Sequence, residues 1–285
     1  MPAPSEPLRV SFTELSEYDA CPLRFRYLYR DRLPEPEVPP DWGRAPTARR
    51  LTVPSSVDLV LGRAVHAALR EWQEAIDRGG PRSTADLLAT VDRHAAAAGL
   101  RPSAMPRVRA ELARGLTIYA EGPWPARRTL ALEHSAHHVL RGVDGFQLEL
   151  ALRVDRVTSY RSGFAILDFK TVPPHPRQLR ADEWQLRTYA LAAAEVLDVA
   201  PGPIYLFLVD LRRGRQLEVD AGPPALRRAA DELLARGRGI AAGDFEIGEE
   251  HLDRPCWSCG FRLTCPASLA PEPPPSHSDA APPVD

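Results

Sequence analysis

The chain has 285 residues, of which 44% are hydrophobic and 26% charged, a globular composition that excludes wholesale disorder. Its formal net charge of −2 excludes a uniformly basic coat, though not a local basic groove. No stretch approaches the ~18 consecutive apolar residues of a membrane span, and residues 1–9 lack the apolar core of a secretory signal, so the expectation is a cytoplasmic protein with no membrane partner.

Taken in chain order, Ser11 with Glu14 three residues later forms a capping box that opens a helical stretch to Tyr29, broken or kinked at Pro22. Residues 31–56 are rich in Pro and Arg and read as a connector. Helices are expected over 59–76, 83–98 and 103–121. The period then changes to strands at 129–140, 146–159 and 163–171, followed by a helix over 182–199. Strands at 204–210 and 216–220 and a helix over 225–242 complete the ordered elements. The tail after Pro266 has six prolines and almost no apolar content, which predicts disorder for 267–285. No internal repeat is present. The whole reads as one domain over 1–266, a mixed α/β sheet core flanked by helices.

Chemistry concentrates in Leu152-Arg-Val-Asp-Arg-Val157 and Ala165-Ile-Leu-Asp-Phe-Lys170. A hairpin turn at Arg161–Ser162 places Asp155 opposite Asp168, and a turn at Ser162–Gly163 places it opposite Lys170. Because strand side chains alternate with period two, Asp155, Asp168 and Lys170 share one face in either register. Val154, Leu167 and Phe169 occupy the other face and suit burial. Two carboxylates converging across a hairpin suit a hard divalent cation such as Mg²⁺ or Mn²⁺. An ammonium beside them can orient water or stabilise charge growing on a phosphate. A cross-strand salt-bridge ladder is the plainer alternative. Lys170 is the sole lysine beside 35 arginines, so a chemical reason for its survival carries weight. Gln185 and Tyr189 are four apart on one helix face, and His66 sits in an amphipathic helix at Gly62-x-x-x-His66.

In this order, Gly62…His66, Arg153-Val-Asp155-Arg156, Asp168-Phe-Lys170-Thr171 and Gln185…Tyr189, with Tyr18-x-x-Cys21-Pro22-x-x-Phe25 upstream, resemble the RecB-like branch of the PD-(D/E)XK nucleases. Leu152 and Val172 stand where the family pattern has glycines. The resemblance implies a restriction-endonuclease-like core with helical N-terminal additions. It further implies that His66, Asp155 and Asp168 ligate the metal together with the Phe169 carbonyl. Lys170 would then be the catalytic lysine, with Gln185 and Tyr189 organising the site. Glu133 matches an upstream acidic position seen in some members.

Four cysteines in a cytosolic-looking chain point to metal or redox use rather than disulfides. Cys256-x-x-Cys259-x₅-Cys265 is compact, and Cys21 is a distant fourth thiol. Iron–sulfur clusters take four thiolates, whereas a zinc knot more often shows two Cys-x-x-Cys pairs. One early and three late cysteines also match the iron–sulfur subset of RecB-like nucleases, which implies a [4Fe–4S] cluster. Its expected role is a structural staple joining Cys21 to 256–265.

Arginines cluster at Arg24–Arg32, Arg212–Arg215 and Arg227–Arg238, some of them expected to track a phosphate backbone beside Trp184 or Tyr189 as a stacking platform. The functional expectation is a divalent-metal-dependent, exonuclease-like deoxyribonuclease in DNA repair or recombination. Its substrates would be single strands or duplex ends, and any helicase would be a separate partner because no phosphate-binding Gly-Lys-Thr loop is present. The alternatives are a catalytically silent iron–sulfur DNA-binding module and a zinc-binding structural protein. Loss of the Lys170 side chain is expected to remove cleavage and leave the fold nearly intact.

Overall fold

A computed structural model describes residues 6–36, 56–100, 105–171, 176–196, 202–248, 256 and 259–269. The expected connector beyond residue 36 and the tail beyond residue 269 lie outside the described residues. The chain forms two compact units, Met1–Phe12 with Pro54–Ala235 and Thr13–Val53 with Arg236–Asp285.

The larger unit is α/β. Its sheet contains β1 (Leu8–Ser11), β2 (Thr129–Arg141), β3 (Gln147–Tyr160), β4 (Gly163–Lys170), β5 (Ile204–Asp210) and β6 (Arg215–Val219). β1 is an addition to the sequence expectation, in which residues 8–10 carried no element. Four residues give too little period to be read locally, and β1 exists through its parallel pairing with Leu148–Ala151 of β3. β2 pairs antiparallel along nearly all of β3, so β1 and β4 share the other edge of β3. β1 covers Leu148–Ala151 and β4 covers Arg156–Tyr160, which leaves residues 152–155 of β3 without a strand partner on that side. β4 then pairs parallel with β5, and β5 antiparallel with β6, making the sheet mixed as expected.

The β3–β4 hairpin turns at Arg161–Ser162, because Tyr160 pairs with Gly163 and Arg156 with Leu167. Arg161 takes the left-handed conformation that a tight hairpin turn demands. Continuing that register places Asp155 opposite Asp168. Alternation along β4 sends Ala165, Leu167 and Phe169 into a core with α3 (Ser56–Asp77), α4 (Thr84–Ala97) and α5 (Met105–Glu121). Asp168 and Lys170 face the opposite way, toward the layer of α6 (Pro176–Val196). The sequence expectation assigned burial to one face only, yet Phe164, Ile166 and Asp168 on the second face are buried as well. A sheet sandwiched between helices covers both faces. Helix α6 also begins six residues before the expected Asp182, with Pro176 at its start, where a missing N–H costs nothing.

Arg156 is fully buried on the α5 side, and among the described residues no carboxylate pairs with its head. Its guanidinium donates to the Tyr119 hydroxyl at 2.9 Å, the Arg127 carbonyl at 3.1 Å and Thr129 Oγ1 at 3.2 Å, tying β3 to the segment leading into β2. Its place beside Asp155 in the sequence motif therefore has a structural meaning: it anchors the strand that presents the acid.

The smaller unit holds most of α1 (Phe12–Ala20), then α2 (Pro22–Phe25), a π-helical turn at Arg26–Arg30 and a 3₁₀ turn at Gly260–Leu263, together with the end of α7 (Pro223–Ala242). Of the break or kink expected at Pro22, the structure has the break. Cys21 is extended and caps α2, its Sγ accepting the Arg24 N–H at 3.4 Å, with Pro22 at the first helical position. Tyr18 donates its hydroxyl to the Asp244 carbonyl at 2.8 Å and packs edge-on against Phe25.

Candidate active site

The gap at residues 152–155 of β3 is where the sheet presents its acids. Glu133 of β2 falls opposite Asp155, since Leu132 pairs with Arg156 and His134 with Val154. Glu133, Asp155 and Asp168 therefore form one row across three adjacent strands. Glu133 itself has φ +47°, a left-handed backbone that a glutamate adopts only when its surroundings impose it. Where β4 would supply the next ladder bond, the Phe169 N–H instead donates to Asp155 Oδ2 at 2.7 Å. That bond fixes one Asp155 oxygen and leaves Oδ1 turned toward His66.

His66 arrives from α3. Gly62, one turn earlier, brings that helix so close to the end of β4 that a Cβ there would press on Thr171 Oγ1, which explains the glycine of the Gly-x-x-x-His pattern. The imidazole lies between two acceptor sets: Nε2 is 3.0 Å from the Phe169 carbonyl, and Nδ1 is 3.2 Å from Asp155 Oδ1 and 3.5 Å from Glu133 Oε1. Burial disfavours the charged ring, but Asp155 and then Glu133 outweigh it and hold its pKa well above the usual imidazole value. Asp155 is buried, yet His66 and the Phe169 N–H keep its carboxyl below the ordinary range. Glu133 Oε2 is also paired with the exposed Arg153 at 2.7 Å.

Asp168 points the other way along the row. Its Oδ2 is 2.8 Å from Lys170 Nζ, and at 3% exposure burial raises the carboxyl to about 7, with Lys170 opposing the rise and Asp155 adding to it. Lys170 Nζ has two further partners, Asp182 Oδ1 at 3.0 Å and Gln185 Oε1 at 3.1 Å. Burial works against the ammonium, but Asp168 and Asp182 more than offset it and raise its pKa. The Gln185 amide is held the right way round because its Nε2 donates to the Tyr189 hydroxyl at 2.7 Å.

The sequence-predicted residues His66, Asp155, Asp168, Phe169, Lys170, Gln185 and Tyr189 are thus contiguous. Among the described residues, the donor atoms that converge within 4.8 Å of one another are those of His66, Glu133 and Asp155. Asp182 was missed. Its signal was its spacing, three residues before Gln185 and seven before Tyr189, one stripe of a helix. The stacking platform expected at Trp184 or Tyr189 is not available: they are 7% and 3% exposed, and the Trp184 ring packs edge-on against Phe12 at 5.9 Å. Both residues lie on a helix packed against the sheet, which turns their rings inward.

In the smaller unit, Cys21, Cys256, Cys259 and Cys265 are all free thiols and line one cavity together with Arg24, Tyr27, Phe261 and Arg262. Arg24 pairs with Glu17 and with Glu35, and Glu35 Oε1 accepts the Gly260 N–H at 3.1 Å, so the cavity walls are cross-braced. Cys21 and Cys256 are buried.

A mixed sheet flanked by helices, with this row of acids at its opened edge, is a restriction-endonuclease-like architecture. A family model of the PD-(D/E)XK nuclease superfamily matches residues 9–266, and the chain belongs to that superfamily. The crystal structure of SSO0001 is similar over 93% of this chain and 89% of its own, at 16% sequence identity and a TM-score of 0.41. No curated protein sequence matches the chain. Among the described residues, no helix is long and apolar enough to cross a membrane.

Proposed function

We propose that the protein is a cytoplasmic, divalent-metal-dependent deoxyribonuclease of the RecB-like branch. It would hydrolyse phosphodiester bonds at DNA single strands or duplex ends during repair or recombination, in an exonuclease-like manner and with any helicase encoded separately. The observation that carries this reading is the row Glu133–Asp155–Asp168, which ends against the chain's one lysine.

The residues fit a divalent cation. Two carboxylates and an imidazole converge, and the acids that favour the charged form of the His66 ring would equally favour a cation bound by the neutral ring. His66, Glu133 and Asp155 would hold Mg²⁺ or Mn²⁺, with Asp168 and the Phe169 carbonyl next along the row. The bound cation supplies Lewis-acid polarisation of the phosphate and eases deprotonation of water. The chain supplies the rest. Lys170 presents a fixed ammonium for charge growing on the phosphate, and the Gln185–Tyr189 pair keeps it from swinging away. Several clustered arginines already serve ion pairs, Arg24, Arg26, Arg213 and Arg236 among them, whereas Arg227 and Arg228 are exposed and suited to a phosphate backbone.

Purified protein is expected to cleave DNA with Mg²⁺ or Mn²⁺ and to stop on chelation, assayed on end-labelled single-stranded and duplex substrates. Absence of cleavage on both, with both metals, would leave a silent DNA-binding module instead.

For the smaller unit we propose a [4Fe–4S] cluster on Cys21, Cys256, Cys259 and Cys265, whose contribution when bound is a covalent cross-link of the early and late segments. Four thiols around one cavity support it. In a tetrahedral zinc site with Zn–S of about 2.3 Å the sulfurs sit about 3.8 Å apart, and among the described residues no three thiols meet even a 4.8 Å spacing. Anaerobically purified protein is expected to be brown, and Cys21→Ser to lose colour and thermal stability. Serine caps helices at least as well as cysteine, so the Arg24 N–H keeps its partner and the loss isolates ligation. Colourless parent protein with stoichiometric zinc would reverse the assignment.

A further inference from the structure

On the reading of this centre as a metal-dependent nuclease site, we infer that Asp182 is a positioning residue that holds the Lys170 ammonium and thereby keeps Asp168 available to the divalent cation. Lys170 Nζ has three N–H donors and three neighbouring acceptors: Asp168 Oδ2 at 2.8 Å, Asp182 Oδ1 at 3.0 Å and Gln185 Oε1 at 3.1 Å. Two of the three carry charge, and they come from different layers. Asp168 belongs to the strand and to the row of acids that faces the cation. Asp182 comes from α6, is 1% exposed and stands outside the cluster formed by His66, Glu133 and Asp155.

A buried ammonium needs a carboxylate. If Asp168 were its sole anion, lysine and cation would compete for the same oxygens. Asp182 removes that competition by giving the lysine an anion of its own. Gln185 cannot take this part, since an amide oxygen brings no net charge.

Asp182→Asn keeps the shape and an acceptor oxygen but removes the charge. The expected result is cleavage slowed about tenfold or more, the range seen when a partner of a ligand or catalytic group is lost. The concentration of Mg²⁺ needed for half-maximal rate should rise by a similar factor. Ca²⁺ binding, followed by calorimetry without any turnover, should weaken in parallel. A merely structural role would lower stability without moving the cation requirement. The pairing is tested in a Lys170→Met background. There Asp182→Asn should no longer weaken Ca²⁺ binding, because the ammonium that Asp182 holds has gone.

Parent-like Ca²⁺ affinity and cleavage in Asp182→Asn, or equal losses with and without Lys170, would overturn the inference. Because calorimetry needs no cleavage, a parent protein that fails to cut DNA would count against the nuclease reading while the Ca²⁺ cycle still decided the role of Asp182.

Discussion

Lys170→Arg is expected to cut DNA roughly 10²–10³ more slowly than the parent, the cost of losing one preorganised contact to developing charge, although it keeps the formal charge. Three acceptors lie 2.8, 3.0 and 3.1 Å from one nitrogen. A compact ammonium fits among acceptors gathered around a single nitrogen. A guanidinium is planar, spreads its donors over three nitrogens and needs more depth than a side-chain site only 23% exposed provides. The composition agrees, since a chain using arginine for 35 of its 36 cations has kept lysine here. Single-turnover cleavage, with circular dichroism to check the fold, decides the matter. A rate close to the parent's would remove Lys170 from the active site, and the assignment of its neighbours would go with it.

The structure amends one expectation about this residue. Lys170→Ala is expected to cost stability as well, because it removes the ammonium 2.8 Å from Asp168 and 3.0 Å from Asp182, both nearly fully buried. Breaking a buried pair from one side typically costs about 3–5 kcal/mol, so loss of activity in the alanine variant mixes chemistry with stability. The arginine variant separates them.

Asp155→Asn is the second large effect. Asp155 Oδ2 accepts the Phe169 N–H and Oδ1 faces His66, so the carboxylate is used on both sides as an acceptor. An asparagine amide offers one acceptor and one donor. Turned one way, its NH₂ opposes the Phe169 N–H; turned the other, it can serve only a neutral His66 ring, and in both cases the charge that attracts the cation is gone. Cleavage should fall by at least about 10², and Ca²⁺ affinity measured by calorimetry by about tenfold or more. The same substitution has a signature without metal. The raised His66 pKa means that the imidazolium–carboxylate contact stabilises the fold fully below the ordinary imidazole pKa of about 6.5, and that this contribution is lost as pH climbs through the raised folded-state value. In chelator, parent stability should therefore decline as pH rises above neutrality, and Asp155→Asn should flatten that decline. An unchanged pH profile would mean that His66 does not depend on Asp155.

How much of this was legible beforehand depended on the range of the signal. Period two over residues 146–159 and 163–171, period 3.6 over the helices, and Gly163 after a short polar turn are local patterns, and the strands follow them to within one residue while α6 starts six residues early. Alternation alone placed Asp155, Asp168 and Lys170 on one face, and four-residue spacing placed Gln185 and Tyr189 on another. The Arg161–Ser162 turn chose between the two registers left open, because only one lets Tyr160 pair with Gly163.

Other features belong to pairings between distant segments. The four-residue β1 is a strand only because β3 is beside it, and the gap that it leaves with β4 is what exposes Asp155. Glu133 reaches the row through a left-handed backbone that no residue-type preference foretells. Asp182 marked only the expected start of a helix until α6 packed on the sheet and set it against Lys170 at 3.0 Å. The same packing withdrew Trp184 and Tyr189 from any contact with bases. The sequence by itself determined which residue types share a strand or helix face, since that follows from backbone period alone. Only the tertiary structure decided which faces meet, because burial, charge pairing and the direction of each donor arise when separate layers close on one another.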